Sequence, residues 1–353
     1  MLSRYLLRAR LCLVLSLGVL VAACTGNFPP RGDAGEPTAD AMAQARQEAL
    51  ARALPMPDDA AVQSVYLDWH DAERQRDVPA KLYLPANGVG PAPLVVFSHG
   101  LGGSREGYSY LGRYLAAHGY ASLHLQHRGS DRALWYGERL ALIGRLQDAA
   151  SEAEVMHRVR DLRFALDRVL ADPALAPRLD AQRIAAAGHS YGANTVLLAA
   201  GARVQRDGAP LVDLREPRIR AAVLISAPPF HGERDPEAIT RAVAVPTLHV
   251  TAVDDDIRVP GYFSGLAERR ELFRQTGDAQ AARKALAVFT GGSHSMFTDR
   301  LGTGGLEHNP RVKAATRELA LAFFDATLGG QAQALARWPE RHRALLSDYQ
   351  STF

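Results

Sequence analysis

The chain of 353 residues is predicted to fold as an α/β domain with a mostly parallel, doubly wound sheet and antiparallel N-terminal strands. Short apolar runs at 94–98, 120–125, 183–188, 219–226, 246–252 and 285–290 have the length of buried strands. Helical periodicity lies between them: Val155, Val159, Leu162, Leu166 and Val169 recur at steps of four and three, while Arg158, Asp161, Arg163 and Asp167 turn elsewhere. Residues 62–69 and 80–84 alternate apolar with polar side chains, as strands with one wet face do, and the polar stretch 70–77 predicts a hairpin. The resulting order is β-β-β-α-β-α-β-α-β-(insertion)-β-α-β-α, with no internal repeat and no second linker.

Composition narrows the function classes. With 47% hydrophobic and 22% charged residues, 30 Gly, 20 Pro and two Cys, the chain is neither disordered nor a small disulfide scaffold. The formal charge is +3, but without Arg4, Arg8 and Arg10 the chain carries 38 basic and 38 acidic side chains. That balance argues against electrostatic binding to nucleic acid.

Residues 1–23 are expected to be a signal peptide. The three arginines precede an apolar run over 11–22, too short to span a bilayer but suited to export. The run ends at Val21-Ala22-Ala23-Cys24, which resembles the lipobox of bacterial lipoproteins, so Cys24 is the expected lipidation site. Residues 24–57 then form a lipidated tether, rich in Pro and Gly over 25–37, followed by a short alanine-rich helix over 38–54. The catalytic-type domain is expected over 58–353. The resemblance implies an exported protein anchored to the cell envelope, and Thr25 lacks the aspartate that retains some lipoproteins in the inner membrane, which points to the outer membrane.

The sharpest chemical signal is Gly188-His189-Ser190-Tyr191-Gly192, a G-x-S-x-G at the junction of a predicted strand and helix. Such a junction needs glycine on either side of the turn and points the serine outward, beside the amides of a helix start. A serine hydroxyl needs a base to accept its proton and a third group to orient that base. His294, in the turn Gly291-Gly292-Ser293-His294-Ser295 after one strand, is the expected base. Asp254, Asp255 and Asp256 follow another, and Asp255, three residues past Ala252, is the preferred acid, with Asp256 the runner-up.

A second glycine cluster, His99-Gly100-Leu101-Gly102-Gly103, follows the 94–98 strand. The backbone amides of Leu101 and Tyr191 are the expected oxyanion hole. His99 and His189 are expected to be structural hydrogen-bonding residues. No histidine partners the aspartates at metal-ligand spacing and no phosphate-cradle motif occurs, so neither metal nor cofactor is implied.

Together, Phe97-Ser98-His99-Gly100-Leu101-Gly102-Gly103, Gly188-His189-Ser190-Tyr191-Gly192 and His294 resemble the α/β-hydrolase superfamily over about residues 60–330. The chain looks most like bacterial predicted dienelactone hydrolases and the platelet-activating-factor acetylhydrolase group, with cutinase-like lipases as cousins. The resemblance implies an α/β-hydrolase fold with helical cap insertions and a serine esterase acting on a lipid, acyl or aryl ester. Two features depart from the pattern. Leu224-Ile225-Ser226-Ala227 carries no carboxylate where the acetylhydrolases take their acid, and Ala193 replaces a glycine common after the elbow. Insertions over 133–147 and 227–243 are placed to roof the site, so Trp135, Phe230, Met296 and Phe297, with Tyr191, are expected to line an acyl or aryl pocket. Competing expectations are an amidase or peptidase with the same triad, and an inactive surface lipoprotein serving as a binding module.

Overall fold

The computed structural model describes Glu48 and residues 54–353, apart from 205–211, 231–235, 260–261, 279–281 and 301. The chain divides into a unit over Met1–Gln44 and a unit over Ala45–Phe353. The expected signal peptide, Cys24 and the tether lie outside the described residues, as does nearly all of the expected 38–54 helix. Among the described residues, no helix is long and apolar enough to cross a membrane.

The second unit is built on a nine-stranded mixed sheet in the order β1-β2-β4-β3-β5-β8-β9-β12-β13. Its strands are β1 (Val62–Asp71), β2 (Arg76–Pro85), β3 (Ala92–Ser98), β4 (Ala121–Leu125), β5 (Leu179–His189), β8 (Ile219–Ile225), β9 (Thr247–Ala252), β12 (Lys284–Phe289) and β13 (Leu346–Ser351). The six from β4 to β12 run parallel, whereas β1, β2 and β13 join antiparallel. Among the described residues, two small antiparallel pairs stand apart: β6 (Arg203–Val204) with β7 (Val212–Asp213), and β10 (Ile257–Val259) with β11 (Tyr262–Ser264).

Both faces of the sheet are covered, and side-chain alternation assigns residues to them. Leu94, Val96, Ile184 and Ala186 pack on one face against Val159, Leu162, Leu166 and Val169 of α3 (Glu152–Ala171) and Val196 and Leu197 of α4 (Tyr191–Ala199). Val95, Phe97, Ala185 and Ala187 pack on the other against α1 (Ser109–Ala117), α7 (His308–Leu328) and α8 (Gln333–Arg341). The period-four stripe of α3 is therefore buried, as its spacing predicts. Ser151 caps that helix by accepting from the Glu154 amide, and Asp172-Pro173 ends it.

Two expectations need correction. The hairpin turn is confined to 72–75, because Asp71 accepts from the Glu73 and Arg74 amides and ties the corner early. The chain ends in a strand, β13, rather than a helix; Leu346–Ser351 is polar and half exposed, so no apolar run announced it. The 133–147 insertion is largely helical, with 3-10 turns over Arg132–Trp135 and Arg139–Ala141 before α2 (Leu142–Ala149), and among the described residues 227–243 carries α5 (Pro236–Thr240). Helix α6 (Leu266–Gln275) packs beside β9.

Candidate active site

Strand register brings the predicted residues to one edge of the sheet. Ser98 pairs with Gly188, His189 with Ile225, and Phe289 with Ala252. The turns just past these C-terminal ends carry Gly100–Gly103, Ser190, Asp255 and His294, the side of a parallel sheet on which sites form.

The turn after β5 is as tight as its glycines require. Ser190 has φ 56° and ψ −125°, a positive-φ conformation rare for a residue with a side chain. A Cβ on Gly192 would lie 2.0 Å from the Ser98 carbonyl oxygen, and one on Gly188 would lie 2.3 Å from that of Gly192. Close backbone approach, rather than an unusual φ, therefore demands both glycines. Gly192→Ala is expected to lower unfolding stability by about 3 kcal/mol or more, because rigid backbone must move. Urea denaturation of the two proteins checks this, and an unchanged midpoint would contradict the packing argument.

Side chains from three segments meet around His294. Its Nε2 lies 2.8 Å from Ser190 Oγ and its Nδ1 lies 2.7 Å from Asp255 Oδ1. An ionised carboxylate only accepts, so Nδ1 donates to Asp255 and Nε2 presents a lone pair to the serine hydroxyl. Asp255 is fully buried. Burial acts to raise its pKa, but the His294 hydrogen bond and the charges of His294 and Arg269 outweigh it and hold the carboxyl well below the usual range. Thr251 Oγ1 donates to Asp255 Oδ2 at 2.9 Å. Arg269 lies 3.3 Å from Oδ1 and donates to the Asp255 carbonyl oxygen. The neighbouring aspartates point away: Asp254 is exposed, and Asp256 pairs with Arg258 at 2.7 Å.

The glycine turn after β3 lies against the elbow. A Cβ on Gly100 would sit 3.2 Å from Ser190 Cβ, and Gly102, at φ 73°, lies under the Trp135 indole. Among the described residues, the Leu101 and Tyr191 backbone amides have no protein acceptor. Buried Arg158 joins the two segments: it donates to Thr195 Oγ1 at 2.9 Å, to Ser98 Oγ at 3.1 Å and to the His99 carbonyl, and its guanidinium stacks 4.6 Å from the Tyr191 ring.

Residues 74–142 match the family model for platelet-activating factor acetylhydrolase, isoform II. That stretch runs from the hairpin turn through the glycine loop to the start of α2, and stops short of Ser190. Two curated relatives carry the name platelet-activating factor acetylhydrolase. The protein of Cavia porcellus is 30% identical over 149 residues, covering 34% of each chain. That of Canis lupus familiaris is 32% identical over 139 residues, covering 30% of this chain and 31% of its own. The chain thus spans about a third of the length of the curated relatives it matches.

The expected pocket residues separate. Met296 and Phe297 have no exposed surface and belong to the core, where Phe297 packs near Phe289 and His189, so they do not line a pocket. The short 3-10 turn His294–Phe297 turns these two inward once His294 faces Ser190. Phe230 lines a different cleft of about 350 Å³ with Pro229, Glu268, Glu271, Leu272 and Gln275, none of which meets the triad. Trp135 is half exposed beside the glycine loop, donating Nε1–H to the Gly102 carbonyl at 2.9 Å. Arg269, Thr251 and Arg158 escaped sequence reasoning. Arg158, one residue before Val159 of the helical stripe, is fully buried.

Burial also leaves several histidines neutral. Desolvation pushes His189 and His249 down to about 3 and His124 to about 4. Below about pH 6.5 the unfolded chain takes up protons that these folded rings refuse, so their contribution to stability is full above that pH and is lost as pH falls towards their folded values. Thermal unfolding temperature is expected to drop steadily between about pH 6.5 and 4. A flat profile across that window would show the rings to be exposed or charged.

Proposed function

We propose that the chain is a serine hydrolase that cleaves carboxylic esters through an acyl-enzyme. The contacts of His294 with Ser190 at 2.8 Å and Asp255 at 2.7 Å carry this reading. On it, Ser190 Oγ attacks the ester carbonyl carbon while its proton passes to His294 Nε2. Asp255 holds the ring in the required tautomer and stabilises the imidazolium. The Leu101 and Tyr191 amides donate to the oxyanion of the tetrahedral intermediate. As that intermediate collapses, His294 returns the proton to the departing alkoxide. Water then attacks the acyl-enzyme carbonyl, giving its proton to His294, and Ser190 leaves with a proton as the acid is released.

The substrate proposed is a lipid ester carrying a short acyl group. The match of residues 74–142, and relatives whose name specifies an acetylhydrolase, support an enzyme acting on such esters. The half-exposed Trp135 beside the glycine loop supports an apolar wall at the entrance. Reaction of the folded protein with a fluorophosphonate probe, followed by peptide mapping, tests the proposal. The expected adduct is on Ser190. Absence of an adduct in folded protein that also fails to turn over p-nitrophenyl acetate would overturn it.

A further inference from the structure

We propose that His189 and Tyr108 are positioning residues, forming a hydrogen-bond chain of fixed direction from the His294 backbone to the Gly100 amide that holds the base loop and the glycine loop in mutual register. The proposal rests on the serine-hydrolase reading above.

Each link has its direction set by the one before. The His294 carbonyl oxygen lies 3.0 Å from His189 Nε2 and only accepts, so Nε2 carries the hydrogen. The ring is buried and stays neutral, pushed down to about 3 by desolvation, so Nδ1 is a lone pair. The Tyr108 hydroxyl, 2.8 Å from Nδ1, must donate to it. Its oxygen is left to accept the Gly100 N–H at 3.4 Å. Reversing any link would set two donors or two acceptors face to face.

Independent features fix the same two side chains. Tyr108 has left-handed backbone, φ 60° and ψ 30°, which a bulky residue keeps only where its surroundings over-determine it. Its ring is buried against Phe97 at 4.5 Å. The His189 ring lies over that of His294, 4.8 Å between centroids. Gly100 approaches so closely that a Cβ there would stand 3.1 Å from His189 Nδ1. The chain thus ends one residue before Leu101, whose amide must aim at the oxyanion within a few tenths of an ångström.

Tyr108→Phe keeps the ring and removes the hydroxyl; His189→Asn keeps a partner for that hydroxyl but cannot reach the His294 carbonyl. Turnover of p-nitrophenyl acetate, per active site titrated with the fluorophosphonate, should fall about 10- to 100-fold in each, with KM changing less than about 3-fold. Affinity for a trifluoromethyl ketone transition-state analogue should fall by the same factor as kcat, and the double variant should be little worse than the poorer single. A merely structural role would lower the titratable fraction or the unfolding temperature and leave analogue affinity per site unchanged, which overturns the proposal. So does turnover per site within about 2-fold of the parent in either folded variant. The parent protein supplies a further arm: nitrogen-15 spectra should show His189 neutral with hydrogen on Nε2, and the other tautomer would sink the chain. Failure of the parent to label at Ser190 would instead remove the hydrolase reading itself.

Discussion

Replacing Ser190 by alanine should lower kcat/KM for p-nitrophenyl acetate by about 10⁴-fold or more and abolish fluorophosphonate labelling, with thermal unfolding little changed. On the proposed mechanism the hydroxyl attacks the ester and surrenders its proton to His294 Nε2, 2.8 Å away. Alanine keeps the Cβ that the strained turn already accommodates, so loss of activity would report chemistry rather than folding. Residual turnover would come from the amides and binding alone. Activity within about tenfold of the parent would mean that another nucleophile does the work.

Asp255→Asn is expected to cost about 10⁴-fold in kcat/KM, whereas Asp254→Ala and Asp256→Ala should stay within about 3-fold of the parent. An asparagine amide facing His294 Nδ1 can donate, which drives the hydrogen to Nε2 and leaves Ser190 without a base. The substitution also leaves the buried Arg269, 3.3 Å from the carboxylate, facing a neutral group, so unfolding temperature should fall as well. The two effects separate by titrating active sites with the probe before measuring turnover. Should Asp256→Ala prove the severe variant, the contacts drawn around His294 would be wrong by one residue.

Much of the site was legible in the linear chain, for physical reasons that differ by residue. The elbow stands out because two glycines flanking a serine, directly after an apolar strand, are a local steric requirement: Gly192 cannot carry a Cβ against the Ser98 carbonyl. His294 stands out because a Gly- and Ser-rich turn after a strand offers it no apolar surroundings. Arg158 did not stand out, since a charged residue beside an apolar stripe is normally solvated; here it is buried because Ser98, Ser130 and Thr195 converge on it from distant segments. Tyr108 is similar, an aromatic with no motif around it whose hydroxyl acquires meaning only beside His189. The terminal strand β13 was illegible because an antiparallel edge strand, wet on one face, needs no apolar run.

Sequence alone determined the alternation of strands and helices, the tight serine turn and the order in which serine, aspartate and histidine follow their strands. Those depend on side-chain period and local steric demand, which neighbouring residues set. Only the tertiary structure decided which of three adjacent aspartates turns inward to His294, that Met296 and Phe297 fill the core instead of a pocket, and that a tyrosine far from the elbow reaches its histidine. Those are matters of side-chain direction, fixed by the packing of segments remote in the chain, and one residue's rotation about a turn reverses them.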